Sequence, residues 1–168
     1  ESVTFANPTT SITINAGDTG NDTVNITSMD TDGTYAGSLT INGGTGTWNN
    51  TLSNWTSANG LTNYIWNDQS TANFAGEAGT VTVGETVGVA EMVFETTGYL
   101  LTGAGQLAIQ GATLVVSAAT NVTAQIGAAI SGTGELEKTG AGTIILTASN
   151  SYTGGTVVRD GTLSVGSG

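Results

Sequence analysis

The 168 residues carry 13 acidic and 2 basic side chains, a net charge of −11, with no His and no Cys. Disulfides, thiolate zinc sites, Cys nucleophiles and His-based triads are therefore excluded, and so few cations leave nothing to displace counterions along a nucleic acid or to hold an anionic membrane. Only 9% of residues are charged against 38% hydrophobic, with a single Pro, so the chain reads as folded rather than disordered, kept soluble by Thr, Ser and Asn among 26 Gly.

Strand patterns run through the whole length, and no apolar stripe of helical period survives the glycines. In chain order the alternating runs are Ser11 to Ile14, Thr23 to Thr27, Ser38 to Ile41, Thr80 to Val83, Val89 to Glu95, Gln106 to Ile109, Thr113 to Val116 and Val122 to Ile130. Thr on one side with Ile, Val or Leu on the other suits a half-buried pleated strand. Glycine clusters at 17–20, 43–44, 103–105, 132–134, 140–142 and 154–155 mark sharp corners. No stretch nears the roughly 18 consecutive apolar residues of a membrane-spanning helix, so no membrane insertion is expected. The opening Glu1-Ser2-Val3-Thr4-Phe5 is expected to be a processed or trimmed end.

Between 48 and 78 the rhythm breaks, and all three Trp fall there: Trp48, Trp55 and Trp66, with Tyr64 and Phe74. Further on, Gly142-Thr143-Ile144 returns as Gly161-Thr162-Leu163 after 19 residues, and a period near 20 built of strands and Gly corners predicts a solenoid. The expected fold is all-β, a single β-solenoid domain over 1–168. It divides into N-terminal rungs (1–47), a Trp/Asn-rich irregular segment (48–78) and repeat-type rungs (79–168). Rungs of ~20 residues would give ~7 or 8 turns. Ile109, Val115, Ile126, Ile144, Leu146, Val157 and Leu163 are expected in the interior.

The stretch Gly132-Thr133-Gly134-Glu135-Leu136-Glu137-Lys138-Thr139-Gly140-Ala141-Gly142-Thr143-Ile144-Ile145-Leu146 and its sequel Asn150-Ser151-Tyr152-Thr153-Gly154-Gly155-Thr156, closing on Gly161-Thr162-Leu163-Ser164-Val165-Gly166, resembles the autotransporter-associated β-strand repeat. Trp48-Asn49, Asn54-Trp55, Ala72-Asn73-Phe74, Gly79 to Val83 and Gly98-Tyr99 resemble what often precedes that repeat. The resemblance implies a right-handed parallel β-helix, exported by a bacterium to or beyond its surface, with no catalytic residue and no cofactor in the repeat.

Function then has three readings. The first is a non-catalytic structural rod, a surface stalk or a filament subunit whose ends stack on other copies of itself through Val3, Phe5, Leu163 and Val165. The second is an adhesin segment holding surface glycans, with Trp48, Trp55 and Trp66 as a stacking platform. The third is polysaccharide cleavage by Glu135 and Glu137, which share a strand face, with Lys138 and Arg159 as the only cations. Glu91 and Glu95 share a face but are well separated, and read as solvated. Asp30-Thr31-Asp32-Gly33 and the Gly17 to Asp22 loop have an oxygen-rich look but lack the spacing of a calcium loop, so no metal is expected. Gly103-Ala104-Gly105 and Gly140-Ala141-Gly142 do not lead from a strand into a helix and imply no nucleotide.

Overall fold

A computed structural model describes residues 39–42, 45–57 and 63–166. The strand patterns predicted at 11–14 and 23–27, and the glycine corners at 17–20 and 43–44, lie outside the described residues. Among the described residues, sixteen strands follow one another without a helix between them. They are β1 (Leu39–Asn42), β2 (Gly46–Trp48), β3 (Trp55–Ser57), β4 (Asn63–Tyr64), β5 (Ser70–Ala75), β6 (Thr80–Val83), β7 (Val87–Phe94) and β8 (Leu100–Thr102). Then come β9 (Gln106–Ile109), β10 (Thr113–Ala118), β11 (Thr123–Ile126), β12 (Ala129–Gly132), β13 (Glu135–Thr139), β14 (Thr143–Leu146), β15 (Thr156–Val158) and β16 (Thr162–Val165).

Parallel pairing winds these strands into a three-sided β-solenoid. Face A stacks β1, β5, β7, β10, β13 and β15, and face B stacks β2, β6, β8, β11, β14 and β16. Face C holds the first half of β7, then β9 and β12. The eight-residue β7 serves two faces because it bends at a bulge: Ser70 pairs with Val89, and Thr71 with Glu91. With strands about 4.8 Å apart, the five steps along face A give a stack of roughly 24 Å.

The register shows where the ~20-residue period holds. On face A the partners Ala72, Met92, Val116, Lys138 and Val158 succeed one another at intervals of 20 to 24 residues. On face B Val81, Leu101, Ile126, Leu146 and Val165 do the same at 19 to 25. The first step is longer, from Leu39 to Ala72 and from Gly46 to Val81. The surplus is the Trp-rich segment, which leaves the stack between β2 and β5. There β3 pairs antiparallel with β1, and β4 antiparallel with β3.

Strict alternation builds the interior. In β10 Leu114, Val116 and Ala118 point in while Thr113, Val115 and Ser117 point out. Identical positions stack into columns such as Val81–Leu101–Ile126–Leu146 and Val87–Leu107–Ile130, all buried. Each such aliphatic side chain contributes about 1.5–3 kcal/mol on burial. Ile109, Ile126, Ile144 and Leu146 are buried as expected, and Leu163 packs half-buried against the same core. Val115 and Val157 are corrections, since they stand in the outward column Glu91–Val115–Glu137–Val157. Paired valines left the parity of each strand open; Leu114 and Ala118 set it for β10, and Leu136 with Lys138 sets it for β13 and hence β15. The single run predicted over 122–130 is two strands, with the corner at Gly127 donating its N–H to Leu101 O at 2.6 Å.

Corners need glycine because successive rungs stack backbone on backbone. At Gly140, φ is +70°, and a Cβ would sit 2.3 Å from Ala118 O. Both the left-handed conformation and the lack of room exclude a side chain.

Candidate functional site

Trp48 and Trp55 are fully buried and Trp66 is 3% exposed. Trp48 lies at 4.8 Å between ring centroids from both Trp55 and Trp66, edge to face, and Phe74 stacks on Phe94 at 4.6 Å and 9°. These rings fill the solenoid interior at its long rung, so the sequence expectation of a sugar-stacking platform on the three indoles is corrected: no indole face is left to a ligand. The wide rung leaves a volume that aliphatic columns do not fill, and aromatic side chains suit it by size and by edge-to-face packing. Trp66 also donates its Nε1–H to Gly88 O at 2.9 Å, which pins the excursion to face C.

That pinning is part of a pattern at both edges of face C. On one edge Asp68 accepts the N–H of Gly88 at 2.8 Å and an amide hydrogen of Gln110 at 2.9 Å, and Gln69 N donates to Gly88 O. On the other, Asn150 Oδ1 accepts the N–H of Ile130 at 2.8 Å, Ser151 N donates to Ile130 O, and Thr153 N to Gly132 O. Segments that are not strands thus satisfy the outer groups of β7 and β12. Asn150 was visible in the Asn-x-Tyr-Thr-Gly-Gly motif; Asp68 had no signal in the sequence.

The carboxylates considered for catalysis do not converge. Glu135 stands across from Thr113, and Glu137 between Val115 and Val157. Glu91, two rungs from Glu137, accepts the Thr71 hydroxyl at 3.2 Å, and Glu95 accepts an Asn73 amide hydrogen at 3.0 Å. Arg159 closes on Glu137 through Nε at 2.5 Å and a terminal nitrogen at 3.0 Å. That bidentate bond holds the Glu137 carboxyl below its usual range and Arg159 above its own.

Lys138, expected beside these carboxylates, is instead fully buried on the inward side of β13. Its Nζ donates to Thr139 O at 2.6 Å, Gly140 O at 2.7 Å and Asp160 O at 3.2 Å. Desolvation lowers its pKa, and the Asp160 carboxylate partly opposes that shift. Tyr99 is buried near the aromatic cluster, its hydroxyl donating to Ala75 O at 2.5 Å, and burial pushes its pKa up to about 12. Of the residues assigned to the ends, Leu163 is half-buried and Val165 is 66% exposed, whereas Val3 and Phe5 lie outside the described residues, as do Asp30 and Asp32.

Stacked ~20-residue rungs, glycine corners and the Asn-Ser-Tyr-Thr-Gly-Gly segment sealing face C define a parallel β-solenoid. Residues 136–165 match the family model described as Passenger-associated-transport-repeat. Residues 136–165 are thus a repeat of the autotransporter passenger repeat family. It is similar to a protein of Brucella suis biovar 1 (strain 1330) named Adhesin BmaC autotransporter, 38% identical over 143 residues, a match covering 82% of this chain. The match spans only 4% of the length of that relative. No solved structure matches the chain significantly.

Proposed function

We propose that this chain is a non-catalytic stalk segment of an adhesin-type passenger, exported by a bacterium and displayed at its surface. The observation that carries the reading is the unbroken register of the inward columns on faces A and B, from Ala72 to Val158 and from Val81 to Val165. Such a stack gains length by repetition and carries its stability in nearest-neighbour interfaces, as a spacer does. The similarity to a protein named an adhesin supports display at the surface.

The filament reading uses the same scaffold but meets an obstacle. The outer edge of β1 is taken by antiparallel β3, so a second copy has no free edge there for an in-register addition to face A. Glycan holding, deprived of the indoles, would fall to the outward Thr column Thr123–Thr143–Thr162 on face B.

The test is negative-stain electron microscopy of the purified chain over a concentration series, followed by display of the same chain on a bacterial surface. A stalk gives discrete short rods at every concentration, and surface display alone confers no binding to host cells or to a glycan array. Filaments that lengthen with concentration would restore end-to-end assembly, and glycan capture would make the segment itself the adhesive part.

A further inference from the structure

Lys138 and Arg159 are the only two cations in 168 residues, and both act at one junction, that of β13 with β15. Their geometries differ. Arg159 grips from outside, exposed, through the Glu137 carboxylate one rung back. Lys138 grips from inside. It occupies the column Ala72–Met92–Val116–Lys138–Val158, where every other member is apolar. Its stem continues the aliphatic stack and its ammonium reaches the corner, bonding two carbonyls of its own rung and Asp160 O of the next.

An ammonium has three N–H donors, and here all three are engaged. A fully buried charge is tolerated only when it is bonded this completely. One rung earlier the corner between β10 and β11 closes without any such group, by Gly142 N to Ala118 O and Thr143 N to Val122 O. The lysine is therefore not a general requirement for stacking two corners. What it adds is a bond that exists only when the Asp160–Gly161 corner stands directly over Thr139–Gly140.

We infer that Lys138 is an internal latch that holds the following repeat in register, and that its opening releases β15 and β16 from the stack as one unit. The Arg159–Glu137 pair is auxiliary to it. The groups facing the latch from the packed elements are the Asp160 carboxylate at the corner and the aliphatic side chains of Val116 and Val158 in the column.

Amide hydrogen exchange on the full chain reads this directly, because the N–H groups of Arg159, Thr162 and Gly166 bond back to Lys138, Gly142 and Leu146. In Lys138→Met the exchange of residues 156–166 should accelerate at least roughly tenfold while β6 to β11 stay within about twofold of the parent. Lys138→Arg, which keeps donors, should recover a substantial part of that protection. In the parent protein, 1 M NaCl, which screens the exposed Arg159–Glu137 pair, should accelerate the same amides less than about threefold.

Three results overturn the latch. One is Lys138→Met with parental protection of 156–166. Another is a loosening spread evenly over the stack, which marks an ordinary core residue. The third is loss of the same protection to salt alone, which moves the role to Arg159. Should Lys138→Met fail to fold, Lys138→Gln is measured in its place and judged on the same amides.

Discussion

Two regions of the described stack use one backbone ladder but fill and flank it differently. The region around the long rung is packed with rings from Trp48, Trp55, Trp66, Phe74 and Phe94, and beside β1 on face A lies the antiparallel pair β3–β4. The other region has aliphatic columns, one buried lysine, and the β15–β16 rung with Val158 and Val165 exposed. A reversed strand beside β1 occupies an edge that an in-register parallel strand would need. A rung made to be repeated needs small, regular columns and corners that overlay. The aromatic rung is filled by bulk and flanked by a reversed strand, whereas the lysine rungs are regular modules.

The contrast can be broken most severely at the aromatic rung. Trp48→Ala removes the ring that both other indoles pack against and should cost about 3–5 kcal/mol, read as a fall in the urea midpoint with exchange rising first in β2 and β5. A loss under about 1 kcal/mol would mean that the aromatic cluster adds little to the stability of the stack. Next comes the module. Gly140→Ala combines a left-handed backbone with a Cβ facing Ala118 O and should cost roughly 3 kcal/mol, whereas Gly111→Ala, with no atom within 4 Å of its Cβ, should stay within about 0.5 kcal/mol. Equal effects at the two glycines would remove the stacked-corner argument.

A smaller effect separates the two regions by pH. Tyr99 beside the aromatic cluster is held protonated in the folded state up to about 12, above the ordinary value of 10.0. Its unfolded form ionises first as pH rises, so stability is full below pH 10 and declines between there and 12, by up to about 2 kcal/mol. Tyr99→Phe should flatten that decline, measured as urea midpoints at stepped pH. The least change is expected from Arg159→Gln, because the pair it breaks is exposed; its unfolding midpoint should match that of the parent in 1 M NaCl.

Much of this was legible in the chain because a solenoid repeats its message. The strands at 80–83 and 106–109 were placed with their observed bounds, where Thr, Gln or Ala alternates with Val, Leu or Ile. Legibility failed where the pattern was degenerate. Val115-Val116 and Val157-Val158 put an apolar residue on both faces, so the inward side of each strand was set by neighbours rather than by the valines. The Val122 to Ile130 run hid its corner because Ile126, Ala128 and Ile130 keep alternating through Gly127. Lys138 was misplaced for another reason: charge normally marks the outside, and its burial depends on three carbonyls that only the stacked corners bring together. Asn-rich and Trp-rich composition at 48–78 announced an irregularity and left open whether its rings faced in or out.

Asp68 and Asn150 each let a non-strand segment stand in for a missing strand on face C. That flank therefore accepts non-strand chain beside it, while faces A and B are stacked strand on strand in register. Extra length accumulates there at little cost to the winding, as the excursion between β2 and β5 already demonstrates. The rod consequently has a back that is fixed and a margin that is free to diversify. Grafted loops, epitopes or tags would be carried on that margin, all projecting toward one side of the rod.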